Sequence, residues 1–213
     1  MKPPPLDPTI RDTLAQRLLA ALQDSQPGSL AELRGSLAAG TSDAYSDIDL
    51  LWEIPDDSFS RVVESIPALL GKVHPITSLR FDPVFRQSST HRLVFVQFEN
   101  LPLFWRLDLE IFAQSAQRDP DAGRQEPPLP DPDWSPTHSA LMNAIAAIKA
   151  VLRGRQEQAR ELLARAYARV GLPAPDGNTP DLVRDLCGQV ARLDPAQAGL
   201  ARQIKELCDQ VFG

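Results

Sequence analysis

Residues 114–137, QSAQRDPDAGRQEPPLPDPDWSPT, divide this chain into two regimes that one regular fold cannot serve. They hold six of its twenty prolines and show almost no periodicity, the composition of a linker or a long covering loop. Before them, stretches that alternate at the period of half-buried strands are interspersed with helical ones. After them, apolar residues recur every three or four positions, as on helices. The expected class is therefore α+β: a mixed sheet with flanking helices over residues 1–113, then a helical bundle over 138–213.

In the first regime, Ile10, Leu14, Leu18 and Leu22 mark a helix over 8–24, with Thr9 as a candidate N-cap. SLAELRGS reads as a short strand entering a tight turn, and SDIDLLWEIP as a second strand stopped by Pro55. DDSFSRVVESIPALLGKV reads as a helix. HPITSLRF, HRLVFVQFEN and FWRLDLEIFA follow as strands, the last two joined closely enough to be antiparallel neighbours. In the second regime, stripes led by Leu141, Leu162, Leu182 and Leu200 predict four helices.

Apolar residues make up 43% of the 213, enough for a proper core. No apolar run approaches the length of a membrane span, and the N-terminal stretch MKPPPLDPTIRD lacks the apolar region of a signal peptide. Cys187 and Cys208 sit among apolar neighbours, which predicts two reduced core thiols in a cytoplasmic protein. His74, His91 and His138 are scattered without ligand spacing and read as surface or loop histidines. The net charge of −6 argues against broad nucleic-acid binding. It is unevenly spread, at −8 over residues 1–133 and +2 over 134–213.

The chemistry is concentrated in RGSLAAGTSDAYSDIDLLWE, residues 34–53. Asp47 and Asp49, two apart on a strand, share a face and repel, and no Lys or Arg lies within six residues to neutralise them. A divalent cation would do so. Upstream, Gly35 lets backbone N–H groups approach an anion, Ser36 adds a hydroxyl donor, and the helix-like SLAAG would aim its first amides at the same spot. In RLDLEIF, Asp108 and Glu110 share one strand face. If that strand lies beside the first, Asp108 converges on Asp47 and Asp49, with Glu110 as the rival third carboxylate. An all-oxygen set of this kind suits Mg²⁺, and three carboxylates can hold two ions.

These residues resemble the nucleotidyltransferase superfamily that includes polymerase beta, whose signature is Gly-Ser, a spacer and Asp-x-Asp. The run GSL…YSDIDL is most similar to antibiotic nucleotidyltransferases of the kanamycin and streptomycin kind. The resemblance implies that Gly35 and Ser36 bind the β- and γ-phosphates of a nucleoside triphosphate, ATP being favoured. It implies that Asp47, Asp49 and Asp108 hold two Mg²⁺ ions, and that a nucleoside monophosphate passes to a hydroxyl acceptor. The chain departs from those relatives at Ala39, where they carry a phosphate-gripping arginine. Lys149, with Arg153 one turn on, is the candidate replacement from a helical half that would close over the nucleotide.

The acceptor stays open between a small hydroxylated molecule, an aminoglycoside-like antibiotic and a protein side chain. The +2 balance of the helical half gives no support for a polycationic acceptor. Glu157 and Glu161 read as surface charges rather than an acceptor-binding pair. The alternative from another class is a non-catalytic interaction module, since the same superfamily includes antitoxin partners of helical toxins. The sequence does not name the oligomeric state.

Overall fold

A computed structural model describes residues 6–125 and 134–213. The chain divides into two compact units, Leu6–Trp134 and Ser135–Gly213.

The first unit is built on a five-stranded mixed sheet. Its strands are β1 (Leu30–Leu33), β2 (Ile48–Ile54), β3 (Ile76–Phe81), β4 (His91–Phe98) and β5 (Leu107–Ala113), in the order β1-β2-β5-β4-β3. β2 and β5 run parallel; every other neighbouring pair is antiparallel, including β4 with β5 as the sequence predicts. Helices α1 (Pro8–Ser25), α2 (Gly35–Ala38) and α3 (Phe59–Val73) complete the unit.

Alternation along the strands decides which face is covered. Ile48, Leu50, Trp52 and Ile54 of β2 join Leu107, Leu109 and Ile111 of β5 and Val94 and Val96 of β4 in one core. Leu14, Leu18 and Leu22 of α1 and Phe59, Val62, Ile66 and Leu70 of α3 close over that face. The in-between positions, Asp49, Glu53, Asp108 and Glu110, are only partly buried and belong to the opposite face. The cap of α1 differs from the expected Thr9: Asp7 stands at the N-cap and its carboxylate accepts from the Thr9 N–H at 3.0 Å.

The described part of the Pro-rich stretch is fastened to this unit. Arg118 reaches Glu53 at 2.9 Å and Glu32 at 3.1 Å, and the Gln125 N–H donates to the Val84 carbonyl at 3.1 Å. Residues 126–133 of that stretch lie outside the described residues.

The second unit consists of α4 (Pro136–Leu152), α5 (Gln156–Arg169), α6 (Thr179–Leu193) and α7 (Ala198–Phe212). α4 buries residues on nearly all sides, among them Leu141, Ala144, Ile145, Ala147 and Ile148, which makes it the central helix. Ser135 and Asn178 cap α4 and α6, each with proline in the first turn. Cys187 and Cys208 are unpaired and buried. Among the described residues, no helix is long and apolar enough to cross a membrane.

Candidate functional site

The site is assembled by strand register. β2 and β5 start side by side, with Ile48 opposite Leu107 and Asp49 opposite Asp108. Neighbouring strands lie roughly 4.8 Å apart, so these two carboxylates stand next to each other. Glu110 is opposite Leu51, one pleat further along, and its carboxylate is engaged by His91 Nε2 at 3.1 Å. Asp47 lies one residue before β2, where its Oδ1 accepts from the Arg106 backbone N–H at 3.3 Å.

The Gly35–Ser36 turn is tied to the same strand. The Arg34 N–H donates to the Asp49 carbonyl at 2.8 Å, which brings β1's end and the turn onto the start of β2. Gly35 has φ 57°, a conformation that disfavours any side chain. A Cβ there would also collide with the Asp49 carboxylate. Glycine is thus required twice over: by the turn and by the close approach of Asp49. The helix that follows is only the four residues Gly35–Ala38.

Between the turn and Asp47, residues 41–46 form a loop held from three sides. Arg11 of α1, only 1% exposed, donates to the Asp43 carbonyl at 2.5 Å, the Ser46 carbonyl at 3.4 Å and the Ser42 hydroxyl at 3.3 Å. The Trp105 indole N–H donates to the Ala44 carbonyl at 2.8 Å. Tyr45 meets Phe104 edge to face at 5.3 Å between ring centres. Within the loop, Asp43 accepts from the Tyr45 N–H and the Ser46 hydroxyl. Asp47 is therefore presented from a braced loop.

Sequence reasoning missed the cation in this cluster. Arg106, two residues before Asp108, grips both of its oxygens, Nε to Oδ1 at 2.5 Å and Nη2 to Oδ2 at 2.6 Å. Its guanidinium also lies over the Phe95 ring, 4.8 Å from the centre. Burial, the largest single effect, would lower the Arg106 pKa, but Asp108 and the smaller contributions of Asp47 and Asp49 together outweigh it, and the net shift is upward. The mutual repulsion of the carboxylates is thus met in part by a protein side chain. The signal lay in the alternation of RLDLE, which puts Arg106, Asp108 and Glu110 on one face.

The donor chemistry of Asp47, Asp49 and Asp108 suits a hard divalent cation, because all three offer carboxylate oxygen. Yet both oxygens of Asp108 are taken by Arg106. Among the described residues, no three His, Cys, Asp or Glu side chains are gathered closely enough to hold a metal ion. Lys149 lies in the helical unit, on α4, and is 7% exposed. Arg153, one turn on, is the C-cap residue of α4, its N–H donating to the Lys149 carbonyl at 3.1 Å. Glu157 and Glu161 are exposed, as expected.

Two of the three histidines differ from their sequence reading. His91 is 1% exposed within β4, with its ring stacked on Phe112 and tilted against Phe85. His138 is buried in α4, its Nδ1 3.1 Å from Gln197 Oε1.

No family model matches this chain, and no curated protein matches it either. Among solved structures it is similar to a chain from the structure of the GLD-2/RNP-8 complex. The two are 13% identical, and the match covers 84% of this chain and 76% of that one with a TM-score of 0.39. Similarity of this degree assigns neither residue roles nor an activity.

Proposed function

We propose that this chain is a nucleotidyltransferase: an acceptor hydroxyl attacks the α-phosphate of a nucleoside triphosphate, with ATP favoured. The acceptor oxygen–phosphorus bond forms, the bond to the β-phosphate breaks, pyrophosphate leaves, and the acceptor's proton passes to a carboxylate of the cluster. The observation that carries the reading is the convergence of the Gly35 turn and Asp108 on Asp49, from elements far apart in the sequence.

In this reading the backbone and hydroxyl at Gly35–Ser36 bind the β- and γ-phosphates. Asp47 and Asp49 would hold Mg²⁺, with Asp108 beside them as the third carboxylate. Bound Mg²⁺, two ions in the full arrangement, would offset charge on the phosphates and lower the pKa of the attacking hydroxyl. Arg11 and Trp105 fix the loop that presents Asp47, so positioning carries much of the catalysis. Lys149 is the proposed replacement for the phosphate-gripping arginine that Ala39 displaces. The acceptor is a small hydroxylated molecule or a protein side chain, and kinship to the antibiotic-modifying enzymes rests on the GSL…YSDIDL run. The sheet unit is the proposed catalytic domain and the helical unit the proposed closing domain.

One observation favours a second reading, a non-catalytic interaction module of the same architecture: Arg106 occupies both oxygens of Asp108. Incubation with labelled triphosphates, Mg²⁺ and a panel of hydroxylated acceptors separates the two. Transfer of label to an acceptor supports the enzyme. Absence of transfer and of pyrophosphate release across the panel supports the module.

A further inference from the structure

Arg34 stands immediately before the Gly35–Ser36 turn and has no part in the reaction proposed above. Its backbone N–H donates to the Asp49 carbonyl at 2.8 Å. That bond continues the antiparallel register of β1 with β2, in which Glu32 is opposite Leu51 and Leu33 opposite Leu50, so Arg34 falls opposite Asp49. Asp49 is in turn opposite Asp108 on β5. Arg34, Asp49 and Asp108 therefore form one row across three strands. Alternation along the chain puts Arg34 on the same side as Glu32. Arg118 ties Glu32 to Glu53, and Glu53 shares its strand face with Asp49. The Arg34 side chain thus belongs to the face of the sheet that carries the carboxylates.

Two features set this guanidinium apart from the other cations of the site. Its side chain is 54% exposed, against 27% for Arg106 and 1% for Arg11. It is also loosely held. Among the described residues its ion pair is with Glu32, Nη1 to Oε1 at 3.3 Å, and the same oxygen accepts from Arg118 Nη1 at 3.1 Å. Arg118 is anchored independently on Glu53 at 2.9 Å, so Glu32 keeps a cation when Arg34 leaves. An exposed ion pair contributes little, whereas a guanidinium meets phosphate in a charge-assisted contact that is often two-pronged. A move of Arg34 from Glu32 to a phosphate would exchange the weak contact for the strong one and leave no carboxylate unpaired.

We infer that Arg34 grips the terminal phosphates of the nucleoside triphosphate bound at the Gly35–Ser36 turn. This contact lies within the sheet unit itself, is separate from that of Lys149, and supplies from the residue before the turn the charge that Ala39 does not. It rests on the nucleotidyl-transfer reading and names a binding residue for it.

Calorimetric titration of the full chain with ATP and Mg²⁺ tests this. Arg34→Gln should weaken ATP binding about tenfold or more, as expected for loss of a charge-assisted contact. Arg34→Lys, which keeps the charge but not the planar fork, should recover part of that loss. Glu32→Gln should bind ATP at least as tightly as the wild type, because it releases Arg34 while Arg118 keeps Glu53. ATP affinity indifferent to Arg34→Gln overturns the assignment and leaves the nucleotidyl-transfer reading standing. A loss that Arg34→Lys does not reduce, or one that Glu32→Gln reproduces, also overturns it, since the Arg34–Glu32 pair would then act by shaping the turn. A wild type that binds no ATP overturns the nucleotidyl-transfer reading, and this assignment with it.

Discussion

At the scale of single residues, the account turns on how four charged side chains share a small volume. Asp49 and Asp108 are set side by side by register, Asp47 precedes them, and Arg106 is the counter-charge. Replacing Arg106 by Gln leaves partly buried carboxylates facing one another. Since Arg106 and Asp108 keep 27% and 23% of their side-chain surface in contact with solvent, the cost is about 1–3 kcal/mol rather than the full penalty of a buried pair. Added Mg²⁺ should recover part of this loss in the variant and raise its melting temperature more than it does the wild type's. Equal stability of the two proteins without Mg²⁺ would contradict the role given to Arg106. Asp47→Asn should abolish label transfer while melting at or slightly above the wild-type temperature, because it removes one member of a repelling set. Transfer at the wild-type rate would remove Asp47 from the site.

At the scale of elements, the strands and helices were legible because their apolar periods are clean. IDLLWEI and LDLEIFA alternate, and the stripes through Leu141, Leu182 and Leu200 recur at helical spacing. What braces the 41–46 loop was not legible. Arg11 reads as an ordinary polar position of an amphipathic helix, and nothing local says that it reaches a carbonyl 32 residues away. His91 was misread for the same reason: its partners Glu110 and Phe112 come from β5. The loop's role can be checked directly. Arg11→Leu keeps the helix but takes a charged donor from the Asp43 and Ser46 carbonyls, although the Asp43 carbonyl still accepts from the Ser46 N–H, at about 1.5–3 kcal/mol for hydrogen bonds to a charged group. Hydrogen exchange should rise at residues 42–46, and transfer should fall with it. Unchanged exchange in that loop would mean that Trp105 and the loop's own hydrogen bonds suffice.

At the scale of the whole molecule, two compact units with different architectures carry different liabilities. The sheet unit depends on long-range register, whereas the helical unit rests on apolar packing around α4. Burial pushes the Cys187 thiol up to about 12, with the neighbouring Cys208 adding to the shift. The folded state therefore holds that proton more tightly than the unfolded chain, whose thiol titrates near 9.0. This contribution to stability is complete below about 9 and is lost as the pH rises towards 12. Chemical denaturation across that window should show falling stability, with a shallower fall in Cys187→Ala. An identical slope in the variant would place the alkaline sensitivity elsewhere.

The central claim is that the Gly35–Ser36 turn and the carboxylates of β2 form one nucleotide site, and nucleotide binding tests it without knowledge of the acceptor. Calorimetric titration of ATP in the presence and absence of Mg²⁺ should show saturable binding that requires the metal. Asp49→Asn should remove the metal requirement together with most of the affinity. Gly35→Ala, which forces a methyl group into the Asp49 carboxylate at a positive φ, should weaken binding severely while the sheet unit stays folded. Metal-independent binding, or ATP bound equally well by wild type and both variants, would contradict the account.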